Sequence, residues 1–132
     1  MAEYIVDTDI CIDFLRGAGY TIDLFQQLFE GDLFISVLSV YELHKGAYTD
    51  KQRRVIRDFI SALEVIYLDE GIIEKGAEFY RKYRKKGITL SDIDCLIMAT
   101  AKEKELLIVT RNVKHYPETS LLSEFSKGLL KS

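Results

Sequence analysis

Three acidic residues stand where a folded chain could gather them round one ion. Asp7 follows directly on the apolar triplet Tyr4-Ile5-Val6. Glu42 falls shortly after the apolar run that starts at Leu33, and Asp94 opens the stretch leading to Leu107-Ile108-Val109. Mg2+ and Mn2+ prefer oxygen ligands and retain several waters, so roughly two to four carboxylates with open positions make a catalytic cation site. Such a cation lowers the pKa of a bound water and neutralises charge that develops on a phosphate under in-line attack. Left without a cation, convergent carboxylates repel and raise one another's pKa.

Each acid also has a plainer reading. Ser39-x-x-Glu42 and Ser91-x-x-Asp94 have the spacing of capping boxes, in which the acid satisfies a helix start, and Asp7 could be a strand-end turn residue. Capping and cation binding are compatible, because both place a carboxylate at the same edge of the fold. Asp92 and Asp94 lie two residues apart, so on a helix they point about 200° apart and cannot readily share one ion. Asp94 is chosen because it leads into the apolar Leu96-Ile97-Met98-Ala99, and Asp92 is assigned to the helix's first turn. Asp9 is a supporting candidate with a helix-start role as its alternative, and Asp13 is expected to face solvent or pair with Arg16.

Strands and helices that alternate from end to end would position these acids. The hydropathy pattern predicts strands at Tyr4 to Val6, Leu33 to Val37, Glu64 to Leu68 and Leu106 to Val109. Helices are expected over Ile10–Leu15, Thr21–Phe29 closed by Gly31, Val40–Gly46, Lys51–Leu63, Glu70–Lys86 and Asp92–Lys104. Gly17-Ala18-Gly19 breaks the first helix and Gly87 ends the fifth. Such alternation implies crossover connections and a parallel sheet covered on both faces, an α/β/α arrangement of about four or five strands. In open parallel sheets, ligands gather at the carboxyl ends of the strands, which is the edge where the acids fall. The tail after Pro117 reads as a short strand with a helical end or as a partner-dependent segment.

The 132 residues carry a net charge of −3, 48% hydrophobic and 30% charged residues, in keeping with one ordinary globular domain over residues 1–132. That charge argues against a protein that coats nucleic acid by bulk electrostatics, without excluding a nuclease. The longest apolar runs are too short for a bilayer, and acids stand where a secretory leader would be basic, so a cytoplasmic location with no membrane association is expected. Cys11 and Cys95 are too few for a disulfide framework or a four-cysteine zinc site and read as buried small hydrophobes. His44 and His115 lack zinc-site spacing and are expected to lie at the surface.

Four segments in order resemble the PIN-domain family, in particular the VapC-type toxins of toxin–antitoxin pairs. They are Val6-Asp7-Thr8-Asp9, Tyr41-Glu42-Leu43 with Gly46, Asp94-Cys95-Leu96-Ile97-Met98-Ala99-Thr100-Ala101, and Val109-Thr110-Arg111-Asn112. The resemblance spans about residues 3–116 and implies a PIN-like fold with the activity of a Mg2+- or Mn2+-dependent endoribonuclease. It implies, too, a homodimer inhibited by a cognate antitoxin protein, and cleavage that leaves 5′-phosphate and 3′-hydroxyl ends. Carried across, Asp7, Glu42 and Asp94 are the catalytic and metal-site acids, Glu42 acting directly or through water. Thr110 matches a supporting hydroxyl. Asn112 falls where many members have a fourth acid, which favours one cation over two. The candidates for RNA contact are Arg111, Lys114, Arg53 and Arg54, with Lys51 and Arg57 behind them, and Arg111 ranks first because it neighbours the acids. The run Arg81 to Lys86 reads as a solvated helix end.

Two rival readings stand beside this one. A degenerate PIN-like module would bind RNA or a protein without cleaving, although a scaffold has no need of a repelling acid cluster. Asp7-Thr8-Asp9 after a strand also resembles the Asp-x-Asp of haloacid-dehalogenase-like phosphatases, a fold for which this chain is short and in which Glu42 has no part.

Overall fold

A computed structural model describes residues 3–29 and 33–129. Four parallel strands, β1 (Tyr4–Val6), β2 (Leu33–Ser36), β3 (Glu64–Ile66) and β4 (Leu107–Val109), form one sheet in the order β3-β2-β1-β4. Tyr4 stands opposite both Leu33 and Leu107, which fixes the register across the centre. Between β1 and β2 run α1 (Thr8–Leu15) and α2 (Gly19–Leu28), and between β2 and β3 run α3 (Val37–Lys45) and α4 (Asp50–Ser61). The helices α5 (Glu70–Lys85) and α6 (Asp92–Glu103) carry the chain from β3 to β4.

Alternation along each strand feeds two cores. Ile5 and Ile108 pack with Ile72, Phe79, Ile97 and Met98 of α5 and α6, whereas Val6, Ile35 and Val109 pack with Ile10, Phe25 and Leu43 on the opposite face. The expected three layers are present. Strand order explains why the helices divide as they do. The chain moves outward from β1 to β3, then crosses back past β1 to β4. Right-handed crossovers therefore place the first four helices on one face and α5 and α6 on the other. The reversal makes the β1–β4 boundary the switch point of the sheet, where a crevice opens at the strands' carboxyl ends.

Local chemistry sets the helix ends. Gly17 and Gly87, each with φ near +80°, turn the chain after α1 and α5. Thr49 and Gln52 make a reciprocal capping box on α4, and Asp69 caps α5. The glycine at 76 lets α5 approach α6, since a Cβ there would lie 2.8 Å from Leu96 Cδ2. The expected closing glycine at Gly31 lies outside the described residues.

Two expectations need correction, both at helix starts. The first helix begins at Thr8, because the Asp7 carboxylate itself accepts from Thr8 N at 2.8 Å and caps it. The third begins at Val37 rather than Val40, because Ser36 supplies the cap by accepting from Leu38 N. Ser39 is therefore not a cap but a fully buried helical residue whose Oγ finds no partner among the described residues, and Glu42 lies in the second turn, outside any capping box. The sheet has four strands among the described residues, the lower of the expected numbers, and the tail keeps a trace of the expected short strand with a helical end. A 3-10 turn (Thr119–Leu121) leads to a single parallel bridge between Leu122 and Ile108, and then to α7 (Glu124–Leu129).

Cys11 and Cys95 are both buried, in cores on opposite sides of the sheet, so they do not pair. No helix among the described residues is long and apolar enough to cross a membrane.

Candidate active site

The crevice at the switch point is a cleft of about 720 Å3 that brings Asp7, Asp9, Glu42, Asp94 and Asn112 to one space. Each acid arrives by a different route. Asp7 is fixed by β1, its backbone N–H donating to Val109 O at 2.9 Å across the strand ends. Glu42 projects from α3, which starts immediately at the end of β2. Asp94 sits in the first turn of α6, where Ser91 Oγ accepts from its backbone N–H at 3.1 Å. Asp92, on the same turn, is exposed and lines no part of the cleft.

Asp7 is the most enclosed of these groups, 9% exposed. Its Oδ2 accepts from two hydroxyls, Thr110 Oγ1 and Tyr116 OH, each at 2.9 Å, and its Oδ1 accepts from Thr8 N. Burial, and then the charge of Asp9, nevertheless push its carboxyl up to about 6, with those hydrogen bonds partly offsetting the rise. Burial likewise raises Asp9, opposed by backbone N–H donors from Arg111 and Ile10, the former at 2.9 Å. Asp94 is raised by burial and by Glu42, against the pull of Ser91 and His115. Burial and the nearby carboxylates hold the Tyr116 phenol well above its ordinary range, so it remains a proton donor to Asp7. Burial raises all three carboxyls, and a neighbouring carboxylate adds to the rise at Asp7 and at Asp94.

The second wall is looser. Glu42 Oε1 accepts from Thr8 Oγ1 at 2.7 Å, and His115 Nδ1 stands 3.6 Å from Asp94 Oδ2. Among the described residues, no three acidic, histidine or cysteine side chains already close into a coordination sphere. The donor set is nonetheless all oxygen and hard, as Mg2+ or Mn2+ requires, and its open positions suit an ion that keeps several waters.

Other expectations divide. Thr110 Oγ1 donates to Asp7 Oδ2, and Lys114 and Asn112 line the cleft. Arg111 does not project freely towards it: its Nε pairs with Asp13 Oδ2 at 2.6 Å. Asp13 is therefore neither solvent-facing nor paired with Arg16; it is 17% exposed in its side chain and also accepts from Tyr20 OH. Arg53 is paired with Asp50 and donates to Ala47 O, and neither Arg53 nor Arg54 lines the cleft. His115 is at the surface as expected, but beside Asp94.

The sequence reading missed Thr8 and Tyr116. Thr8 adjoins Asp7 and could have been suspected from that alone. Tyr116 carries no such mark, since 109 residues separate it from its partner.

An open parallel sheet with carboxylates converging at its switch point defines an α/β protein with an acidic cleft where such sheets bind their ligands. The PIN domain profile matches residues 4–117, and the chain belongs to that family. It is 31% identical over 116 residues to Ribonuclease VapC1 of Methanocaldococcus jannaschii, a match covering 87% of this chain and 79% of the relative. Its identity to Ribonuclease VapC10 of Mycobacterium tuberculosis is 35% over 114 residues, covering 86% and 85%. Among solved structures, a toxin–antitoxin complex from Klebsiella pneumoniae superposes with a TM-score of 0.77 at 25% identity, covering 92% of this chain and 96% of that one. Likeness of this extent groups the chain with the VapC ribonucleases, and the phosphatase alternative falls.

Proposed function

We propose that this chain is a divalent-cation-dependent endoribonuclease, the toxin of a toxin–antitoxin pair, which hydrolyses RNA phosphodiester bonds in the cytoplasm. One observation carries the reading: a buried carboxylate, Asp7, raised to about 6 and facing Asp94 and Glu42 across an open cleft, in a chain of the VapC group.

Asp7 and Asp94 would hold one Mg2+ or Mn2+, with Glu42 reaching it directly or through water. When bound, the ion supplies neutralisation of charge on the phosphate and a lowered pKa for the attacking water. The chain's own residues prepare for it. Thr110 and Tyr116 fix Asp7 Oδ2, Thr8 holds Glu42, and Ser91 anchors the turn that carries Asp94. Asp7 must be ionised to bind a cation, so binding is expected to weaken as pH falls through about 6. Lys114 and Asn112, on the rim, are placed to meet the RNA backbone. The products would carry 5′-phosphate and 3′-hydroxyl ends.

An inhibitory antitoxin needs a surface that reaches the cleft. A groove of about 360 Å3 among α1, α3 and α4, lined by Leu15, Leu43, Ala47, Val55 and Ile56, shares Ile12 and Glu42 with it. A partner with apolar anchors seated there would stand at the mouth of the site. We propose homodimer formation as well; light scattering on the purified chain would test it.

The reading is tested by incubating wild type and Asp7→Asn with total RNA and Mn2+ and sequencing the cleaved ends. Discrete cleavage is expected from wild type alone, abolished by EDTA. Cleavage undiminished in EDTA or in Asp7→Asn, or 2′,3′-cyclic phosphate ends, would overturn it.

A further inference from the structure

The chain beyond β4 brings hydroxyls to Asp7 from two places. Tyr116, 1% exposed, donates directly to Asp7 Oδ2 at 2.9 Å. Ser126, fully buried on α7, acts at one remove. Its Oγ donates to Ile108 O at 2.8 Å and accepts from Thr110 N at 2.9 Å. The Thr110 hydroxyl in turn donates to the same Asp7 oxygen as Tyr116, at 2.9 Å.

Ser126 thus stands where the backbone of a neighbouring strand would stand. β4 is an edge strand; on its outer side the Ile108 carbonyl and the Thr110 N–H have no strand to pair with, so in a buried setting they take partners from the tail. Ser123 completes the arrangement: its N–H donates to Ile108 O at 2.9 Å, and its Oγ accepts from Ser126 N and lies 3.1 Å from Ser126 Oγ. Phe125 packs edge-on against Tyr4 of β1, with ring centroids 5.3 Å apart, which seats the helix on the sheet. The PIN domain match ends at residue 117, so Ser126 lies beyond it.

We propose that the segment from Tyr116 to Ser126 is a positioning element for the reaction, in which these two buried hydroxyls fix the direction of the Asp7 carboxylate, Tyr116 directly and Ser126 through Thr110. The proposal rests on the reading of Asp7 as a cation-holding residue. Two hydroxyls converging on one oxygen, with Thr8 N on the other, leave the carboxylate a single orientation. Loss of one frees it to rotate, and small misplacements of a reacting group cost rate far more than affinity for a remote substrate.

The experiment compares wild type, Tyr116→Phe, Tyr116→Leu and Ser126→Ala for RNA cleavage kinetics, Mn2+ binding by calorimetry and Tm. Tyr116→Phe keeps the ring and loses only the hydroxyl. Its kcat is expected to fall about 10- to 100-fold with KM for RNA within about twofold, and its Mn2+ affinity to fall several-fold. Tyr116→Leu should match it in kcat but also lose Tm. Ser126→Ala should lower kcat by a smaller factor, about three- to tenfold, again at unchanged KM. Wild-type kcat and Mn2+ affinity in Tyr116→Phe, with a defect only in Tyr116→Leu, would show that the ring merely packs and would overturn the proposal. Absence of Mn2+ binding and cleavage in wild type would overturn it together with the reading of the site.

Discussion

The two walls of the cleft are built differently. The wall made by β1 and β4 is buried and saturated: the Asp7 carboxylate accepts three hydrogen bonds from three donors and its own N–H pairs with Val109 O, and Asp9 takes backbone N–H groups from either side. The wall made by α3 and α6 is open, with Glu42 held by one threonine hydroxyl and Asp94 approached by an exposed histidine. The first wall is fixed before any ligand arrives, and the cost of burying its carboxylates beside one another is what a cation would relieve. The second can adjust, through water or side-chain rotation, to whatever the first wall holds.

The largest effect should come from the fixed wall. Asp7→Asn keeps the shape and removes the charge, so cleavage should fall by roughly a thousandfold or more, while the Tm of the metal-free protein is not lowered, because a buried charge has been removed. A loss of activity accompanied by unfolding would erase the contrast between the walls. Glu42→Gln, on the adjustable wall, should cost less, about ten- to a hundredfold, and Thr8→Val less again, since it only frees Glu42. Equal losses in Asp7→Asn and Thr8→Val would break the comparison.

The burial of Asp7, with the charge of Asp9 beside it, has its own signature. Asp7 is raised from the ordinary range near 4 to about 6 in the folded chain, so the folded state binds this proton more tightly than the unfolded one. Its contribution to stability is therefore fully present below the unfolded pKa and lost as pH rises through about 6. Metal-free wild type should gain about 1 kcal/mol from this group between pH 7.5 and pH 5, and Asp7→Asn should lose that part of the dependence; chemical denaturation at both pH values measures it. The smallest effect is expected at the rim. Lys114→Ala should weaken RNA binding a few-fold and reduce the salt slope by about one, whereas Arg111→Ala should do less, because Arg111 is already paired with Asp13.

Most of the fixed wall could be read from the sequence, and the reason is local. A strand that stops at an aspartate, and a later strand that delivers Thr-Arg-Asn, declare themselves by period and by neighbours. The adjustable wall was harder. Ser36 and Ser39 are equally plausible caps by composition, and only packing against the sheet selects Ser36, which moves Glu42 a turn along its helix. Contacts that join distant residues left no mark. Asp13 looked towards Arg16 because helical neighbours are the only ones a sequence displays, yet it pairs with Arg111, 98 residues away. Ser126 was equally hidden, since nothing in a lone serine announces that it finishes the edge of a strand.

The central claim, that these acids hold a divalent cation, is tested most directly by calorimetric titration of Mn2+ into the metal-free protein at pH 7.5, for wild type and Asp7→Asn side by side. Wild type should bind about one ion per chain, and Asp7→Asn should bind none. No binding by wild type, or the same binding by both, would contradict it.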